Sequence, residues 1–325
     1  MSPDAKWNAH AILGAGLVSV RVPAKINLVL KVGSRATDGY HSLITVFQAV
    51  GLYDEVTVTP LYDGEIKVRV QGAQASLVPT DGTDLATQAA ELLRQECGLP
   101  MYGASIEIAK RIPVAGGMAG GSADAAATLL ACAKLWGLNL DSHELQLLAG
   151  ELGSDVPFPL LGGTAIGYNR GDELLPLMCR GSYYWALAFA EDGLSTPKVF
   201  QQFDAQPTNQ GRYFRPSEVS HDLLGALING DAKTLGKTLS NELEQAALAL
   251  YPALAETLAF GRAHTEVCGG IICGSGPTCA FLCADSRAMA QLVSDLKELP
   301  QVATAIGVKS PVRGAQFVDS RLADA

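Results

Sequence analysis

Four glycines within six residues run straight into an alanine-rich apolar stretch, "PVAGGMAGGSADAAATLLACAKLWG", at residues 113–137. Glycine opens backbone angles closed to other residues, so the first half reads as a tight loop. The second half reads as a helix that ends near Gly137. Such a junction aims the free N–H groups of the helix start at one point, where the helix dipole favours an anion. Ser122 stands where it can cap that helix or touch a phosphate oxygen. A steric reading is also open, because small side chains let a helix lie close against a sheet. Two nucleotide fingerprints fail on spacing. G-x-G-x-x-G does not fit glycines at 116, 117, 120 and 121, and the P-loop pattern reaches Ser122-Ala123 with no lysine.

Before this junction the chain reads as short β-branched strands: "VSVRV", "KINLVLKV", "LITVFQAV", "EVTVTP", "EIKVRVQG" and "ASIEIAKRIP". "DLATQAAELLRQECG" interrupts them with helical spacing, and "DSHELQLLAGELG" is a helix with a capping box at Asp141 and Glu144. A segment at about 190–218, rich in Gly, Pro, Gln and Asn, reads as loose. Beyond it come helices ("HDLLGALING", "DAKTLGKTL", "YPALAETLAFGRA", "RAMAQLVSDLKEL") and strands ("GGIIC", "CAFLC", "ATAIGV", "GAQFV"), with "WALAFA" as a strand just ahead of it. Strands and helices mixed without a βαβ rhythm predict an α+β fold in two lobes.

With 325 residues, 48% of them hydrophobic and 18% charged, the chain can bury a full core. A net charge of −9 argues against a nucleic-acid partner, and it makes each lysine near an anion site worth tracing. The seven cysteines include no C-x-x-C pair or zinc-type spacing, and they read as reduced structural thiols. Residues 1–17 read as a flexible extension, neither signal nor transit peptide. No apolar run reaches the roughly 20 residues of a membrane span. These features predict a cytoplasmic protein with no membrane partner.

Three further stretches carry open alternatives. In "PAKINLVL" a period of two puts Lys25 and Asn27 opposite Ile26 and Leu28, on a face that is either solvated or functional. In "ELGSDVPFPLLGG" Asp155 is either a helix cap or a functional carboxylate. "ICGSGPTCAF" is a glycine turn between apolar strands, or part of a site.

Taken in order, "PAKINL", "PVAGGMAGGSAD" and "GSGPT" resemble the three motifs of the GHMP kinase superfamily, over about residues 18–320. The resemblance implies a two-lobed GHMP kinase fold. An ATP-binding N-terminal lobe like ribosomal protein S5 domain 2 would span 18–180, and a ferredoxin-like α/β-plait substrate lobe 181–325. It implies ATP and Mg2+ as cofactors, with the metal ligands left open, and a monomer or weak homodimer. "DGYHSL" and "LGSDVPF" are similar to the branch of the superfamily that phosphorylates the 2-hydroxyl of 4-diphosphocytidyl-2-C-methyl-D-erythritol in the non-mevalonate isoprenoid route. Kinases of mevalonate or homoserine, and a non-catalytic nucleotide-binding relative, are the alternatives.

Carried over by motif, the catalytic residues are Lys25 and Asp155. Asp155 would take the hydroxyl proton, and Lys25 would stabilise the charge that develops. The phosphate cradle falls on Pro113, Val114, Ala115, Gly116, Gly117, Met118, Ala119, Gly120, Gly121, Ser122 and Ala123, with Lys110 ahead of it. The substrate side falls on Asn27, Thr196, Pro197, Gly274, Ser275 and Gly276. A cytidine pocket would use Tyr40 and Phe200 as the stack and His41 at the base edge. Two departures stand out. Ala123 lacks a hydroxyl that the family often has, and Asp84 replaces the asparagine of an adenine-side Asn-Leu pair.

Overall fold

The structure, a computed structural model, describes residues 16–37, 39–207, 209 and 218–318. The N-terminal extension expected at 1–17 therefore lies outside it up to residue 15, and so does part of the 190–218 segment.

The chain opens with two long antiparallel strands, β1 (Val18–Arg35) and β2 (His41–Leu61), each of which the sequence reads as two. Pro23 faces Tyr53 while Ala24 faces Val50, so the register slips at the point where punctuation suggested a break. The chain absorbs Pro23 and Gly51 as a bulge and continues the ladder. Then follow β3 (Ile66–Gln71), α1 (Leu85–Glu96), β4 (Gly103–Ala109), α2 (Gly120–Leu135), α3 (Ser142–Leu152), α4 (Pro157–Leu161), β5 (Thr164–Asn169) and β6 (Glu173–Pro176). The first half of β2 pairs with β5 and its second half with β4. Strands β5 and β6 escape the sequence reading, since "TAIGYN" and "ELLP" are short and bounded by glycine.

The second half holds β7 (Tyr183–Phe189), α5 (Thr196–Ala205), α6 (His221–Asn229), α7 (Ala232–Thr238), β8 (Ser240–Asn241), α8 (Glu244–Leu250), α9 (Ala253–Ala263), β9 (Val267–Ile272), β10 (Cys279–Cys283), α10 (Ser286–Leu296), β11 (Thr304–Ser310) and β12 (Gln316–Phe317). A helix, α5, occupies the segment read as loose. Its Ser-Thr-Pro start sets the first turn, with proline where no N–H is needed. Four strands form an antiparallel sheet in the order β11-β7-β10-β9, which is the ferredoxin-like arrangement expected for the second lobe. The larger sheet runs β12-β1-β2-β4-β3, with β5, β6 and β8 attached. Because β8 and β12 pair with β1, the chain's second half returns to the first sheet.

Helix α2 is buried along most of its length through Ala123, Ala125, Ala126, Ala127 and Leu129, and it packs on β1 and β2. The steric role of its small residues is thus real. It also fixes the helix start, and with it the glycine loop, against the first sheet.

Candidate active site

Strand β1 carries the first functional group. Ile26 and Leu28 enter the core, as the alternation predicts, but Lys25 and Asn27 on the other face are also buried, at 4% and 2% exposure. A solvated face is therefore not their setting. The cover comes from the turn between β9 and β10. A side chain built at Gly274 would fall 3.4 Å from both the Lys25 ammonium and the Asn27 carbonyl. Lys25 Nζ donates to Asn27 Oδ1 (2.9 Å), Asn27 Nδ2 donates to Thr45 Oγ1 (2.7 Å), and that hydroxyl donates to the Val29 carbonyl (2.9 Å). The lysine is held by a relay reaching from β1 to β2.

Opposite Lys25 stands Asp155, in the turn between α3 and α4, with its carboxylate 3.7 Å from the ammonium. It is not a helix cap: α4 begins at Pro157 with Val156 as its N-cap residue and no side-chain cap. The Asp155 side chain keeps 39% of its exposure while Lys25 keeps 5%. The pair thus presents one buried charge and one open to the cavity.

The glycine loop crosses this pair. Ala115 (φ 52°), Gly117 (φ 76°) and Ala119 (φ 59°) all adopt left-handed backbone, two of them at a cost that alanine meets rarely. A Cβ at Gly117 would lie 2.0 Å from the Cys273 carbonyl oxygen, so only glycine fits between this loop and the β9–β10 turn. Three bonds fix the loop: Val114 N–H to Gln74 Oε1 (2.8 Å), Leu194 N–H to the Ala115 carbonyl (3.2 Å), and Lys25 N–H to the Met118 carbonyl (3.3 Å). Helices α1, α3, α6, α7 and α10 start on Asp84, Asp141, Ser220, Asp231 and Asp285 side-chain caps, whereas α2, like α4, α5, α8 and α9, has none, and its N-cap residue is Ala119. Its first-turn N–H groups have no acceptor within the helix. Gly120, Gly121 and Ser122 of that turn line the cavity, so the cradle fits a phosphate.

One cavity of about 920 Å³ joins these groups to a second cluster formed by Arg35, Tyr40, His41, Arg170, Phe200 and Asp204. Tyr40 is 56% exposed, and the Arg170 guanidinium lies 4.0 Å from its ring centroid. Phe200 stacks on His41, with centroids 5.1 Å apart. His41 Nδ1 is 2.7 Å from the Gly33 carbonyl, and Nε2 is 3.3 Å from Asp204 Oδ1. Thr196 and Pro197 at the start of α5 also face the cavity, and Thr196 Oγ1 bonds Ser275 Oγ at 2.8 Å.

Comparison with known proteins decides the family. The family models for the N-terminal and C-terminal domains of GHMP kinases match residues 84–163 and 223–301. The chain is 47% identical over 305 residues to 4-diphosphocytidyl-2-C-methyl-D-erythritol kinase of Cutibacterium acnes, covering 93% of this chain and 97% of that one. The enzyme of that name from Streptomyces avermitilis is also 47% identical, over 92% of this chain and 98% of its own. The chain belongs to the 4-diphosphocytidyl-2-C-methyl-D-erythritol kinase family of the GHMP kinases. A crystal structure of 4-(cytidine 5'-diphospho)-2C-methyl-D-erythritol kinase superposes with a TM-score of 0.72 at 32% identity, covering 89% of this chain and 98% of that one. Homoserine kinase from Cytophaga hutchinsonii superposes at 0.73 with 16% identity, over 94% and 98%, a likeness of fold alone.

Several residues expected in the site sit beside it. Lys110, expected at ATP, is buried beneath the loop between Asp54 and Asp124, the latter 2.8 Å away. Asp54 also accepts from the Arg111 and Ile112 N–H groups (2.6 and 2.8 Å). Burial works against the Lys110 charge, but the two carboxylates outweigh it and hold the ammonium above its ordinary value. Burial pushes the Asp124 carboxyl well above the usual range, against the pull of Lys110 and with Asp54 adding to it. Lys110 therefore braces this kinase's loop from below: a Cβ at Gly120 would lie 2.9 Å from its Nζ. Val114, Met118 and Gly276 in the two loops, and Ala123 in the first turn of α2, stand off the cavity wall. Asp84 caps α1 through Thr87 N–H (2.8 Å), while Leu85 faces the cavity. The cysteines behave as core: burial lifts the Cys97 thiol to about 11 and the Cys273 and Cys283 thiols to about 12, far from a nucleophilic thiolate. The sequence reading missed Thr45, Asn241, Arg170 and Asp204. Asn241 pins the β9–β10 turn by donating to the Ile272 and Gly274 carbonyls (2.8 and 2.7 Å). No helix among the described residues is long and apolar enough to cross a membrane.

Proposed function

We propose that this kinase transfers a phosphoryl group from ATP to the 2-hydroxyl of 4-diphosphocytidyl-2-C-methyl-D-erythritol, releasing ADP. The observation that carries this reading is the Lys25–Asp155 pair, 3.7 Å apart, in one cavity with an uncapped helix start on one side and an aromatic pocket on the other. ATP, when bound, supplies the phosphoryl group, and Mg2+ offsets the charge of its phosphates. Everything else falls to the chain's own residues, because phosphoryl transfer asks a protein mainly to position groups and neutralise charge.

Asp155 accepts the proton of the attacking hydroxyl as the new oxygen–phosphorus bond forms. Lys25, fixed by Asn27 and Thr45, holds Asp155 in place and stabilises the negative charge on the transferring group. The N–H groups of Gly120, Gly121 and Ser122 hold phosphate oxygens, and the Ser122 hydroxyl is the side-chain oxygen available there to phosphate or Mg2+. Tyr40 and Phe200 clasp the cytosine, with His41 at its edge. Thr196, Pro197, Gly274 and Ser275 form the wall between base and hydroxyl. We place the ATP lobe at about 18–180 and the substrate lobe at 181–325, in a cytoplasmic monomer or weak homodimer.

A coupled assay of ADP release tests this directly. With 4-diphosphocytidyl-2-C-methyl-D-erythritol the protein should turn over in Mg2+ and ATP, while mevalonate and homoserine should give no more than background. Equal turnover with mevalonate would contradict the substrate assignment.

A further inference from the structure

Lys25 and Asp155 are paired without being bonded. A charge-assisted N–H···O bond runs to about 2.7–2.9 Å. The ammonium instead stands 3.7 Å from the carboxylate and keeps its 2.9 Å bond for the neutral carbonyl of Asn27. A buried ammonium beside an open carboxylate closes on it unless another group holds it back.

That group is on β2. Phe47 lies directly across the ladder from Asn27, so it shares that residue's face and sits diagonal to Lys25. The Lys25 ammonium stands over the Phe47 ring, 5.2 Å from its centroid. The negative face of an aromatic ring attracts a cation within roughly 6 Å, and more strongly where water is kept away. Both side chains are buried, and both border the cavity.

The ring is fixed from behind. Phe158 packs on it with centroids 4.9 Å apart. A Cβ at Gly167 of β5 would lie 2.9 Å from one ring carbon, and a Cβ at Gly171 would lie 3.5 Å from another, so glycine gives the ring its room. Phe158 belongs to α4, three residues after Asp155. Phe47 therefore reaches both sides of the pair, the ammonium directly and the Asp155 turn through Phe158.

A closed salt bridge would occupy the Asp155 oxygen that has to take the hydroxyl proton. We propose that Phe47 is a positioning residue for phosphoryl transfer: its ring face draws the Lys25 ammonium and keeps it short of a hydrogen bond to Asp155, which leaves that carboxylate open to the substrate. The proposal rests on the Lys25–Asp155 reading above and adds the group that sets their spacing.

Fluorine drains negative charge from the face of an aromatic ring and leaves its shape nearly unchanged, so it separates attraction from packing. The test is ADP release by the full-length protein carrying mono-, di- or trifluorinated phenylalanine in place of Phe47. Across this series kcat should fall stepwise, to about a tenth of wild type for the trifluorinated ring, with KM for both substrates and the urea midpoint unchanged. Phe47→Leu, which removes the ring, should lose about tenfold or more in kcat. The same fluorination of Phe158, which stands off the cavity wall, should leave kcat unchanged. A ring that serves only as packing would give a flat kcat across the fluorinated series, whether or not Phe47→Leu folds, and that result overturns the proposal. So does a rise in KM with kcat kept, which would make Phe47 a wall for substrate. An active wild type with a flat series overturns this proposal alone, whereas an inert wild type overturns the functional reading and the proposal with it.

Discussion

At the glycine-loop end of the cavity the wall is made of backbone, whereas at the Tyr40 end it is made of side chains. The loop presents N–H groups, and its shape is dictated by what lies behind it: Cys273 leaves no room for a Cβ at Gly117, and Lys110 braces Gly120. The far end rests on Tyr40, His41, Phe200 and Asp204, brought together from the β1–β2 turn, the start of β2 and α5, with Tyr40 more than half exposed. A backbone wall suits a ligand group common to all nucleotides and tolerates almost no change of shape. A side-chain wall suits discrimination, and single substitutions there should alter affinity without unfolding anything.

The contrast can be broken at either end. Lys25→Met, at the junction of the two, should lower kcat by about 100- to 1,000-fold, the scale for losing one preorganised charge donor, with both ligands still bound. Steady-state kinetics beside nucleotide titration check it, and parallel loss of binding would make Lys25 an ordinary binding residue.

At the backbone end, Lys110→Met should cost about 3–5 kcal/mol of stability, because Asp54 loses its buried partner. Urea unfolding should show the loss, and ATP affinity should fall with it. At the side-chain end, Tyr40→Ala should weaken the cytidine substrate by about 1–3 kcal/mol through lost stacking, with stability and ATP affinity kept. If Tyr40→Ala unfolds the protein or weakens both ligands alike, the two ends are not built differently.

The smallest effect concerns pH. The Asp124 carboxyl is held above its ordinary value of 3.8 in the fold, chiefly by burial. Below 3.8 both folded and unfolded chains keep that proton. As pH rises the unfolded chain releases it first, so the stability gained from the neutral carboxyl is lost as pH climbs through the folded value. Asp124→Asn should flatten that decline, measured as the urea midpoint while the pH is raised from 3.8. Parallel curves for variant and wild type would remove Asp124 as the source.

The same contrast explains what the sequence discloses. A backbone wall is written locally. The glycine spacing, the small residues after it and Gly137 announce the loop and α2 within 25 residues. Lys25 and Asn27 were legible as one face by the period of two, but not their burial, since the cover at Gly274 arrives from the other lobe. The pocket end was hardest. His41 and Asp204 are distant in the chain, and α5 is a ten-residue helix in surroundings of Gly, Pro and Gln that mask it. Asp54, in "GLYDEV", looks like turn punctuation and is a fully buried anchor within β2. Lys110 was read toward the ligand because its neighbours are; only the tertiary position of Asp54 and Asp124 turns it inward.

The central claim is that base, phosphate and reacting hydroxyl meet around a single carboxylate. Asp155→Asn tests it most directly, with single-turnover phosphorylation of the cytidine substrate measured beside the dissociation constants of substrate and ATP. The account predicts a fall in rate of about 100-fold or more, on the scale of lost general-base catalysis, with both dissociation constants within a few-fold of wild type. A rate within a few-fold of wild type would contradict it.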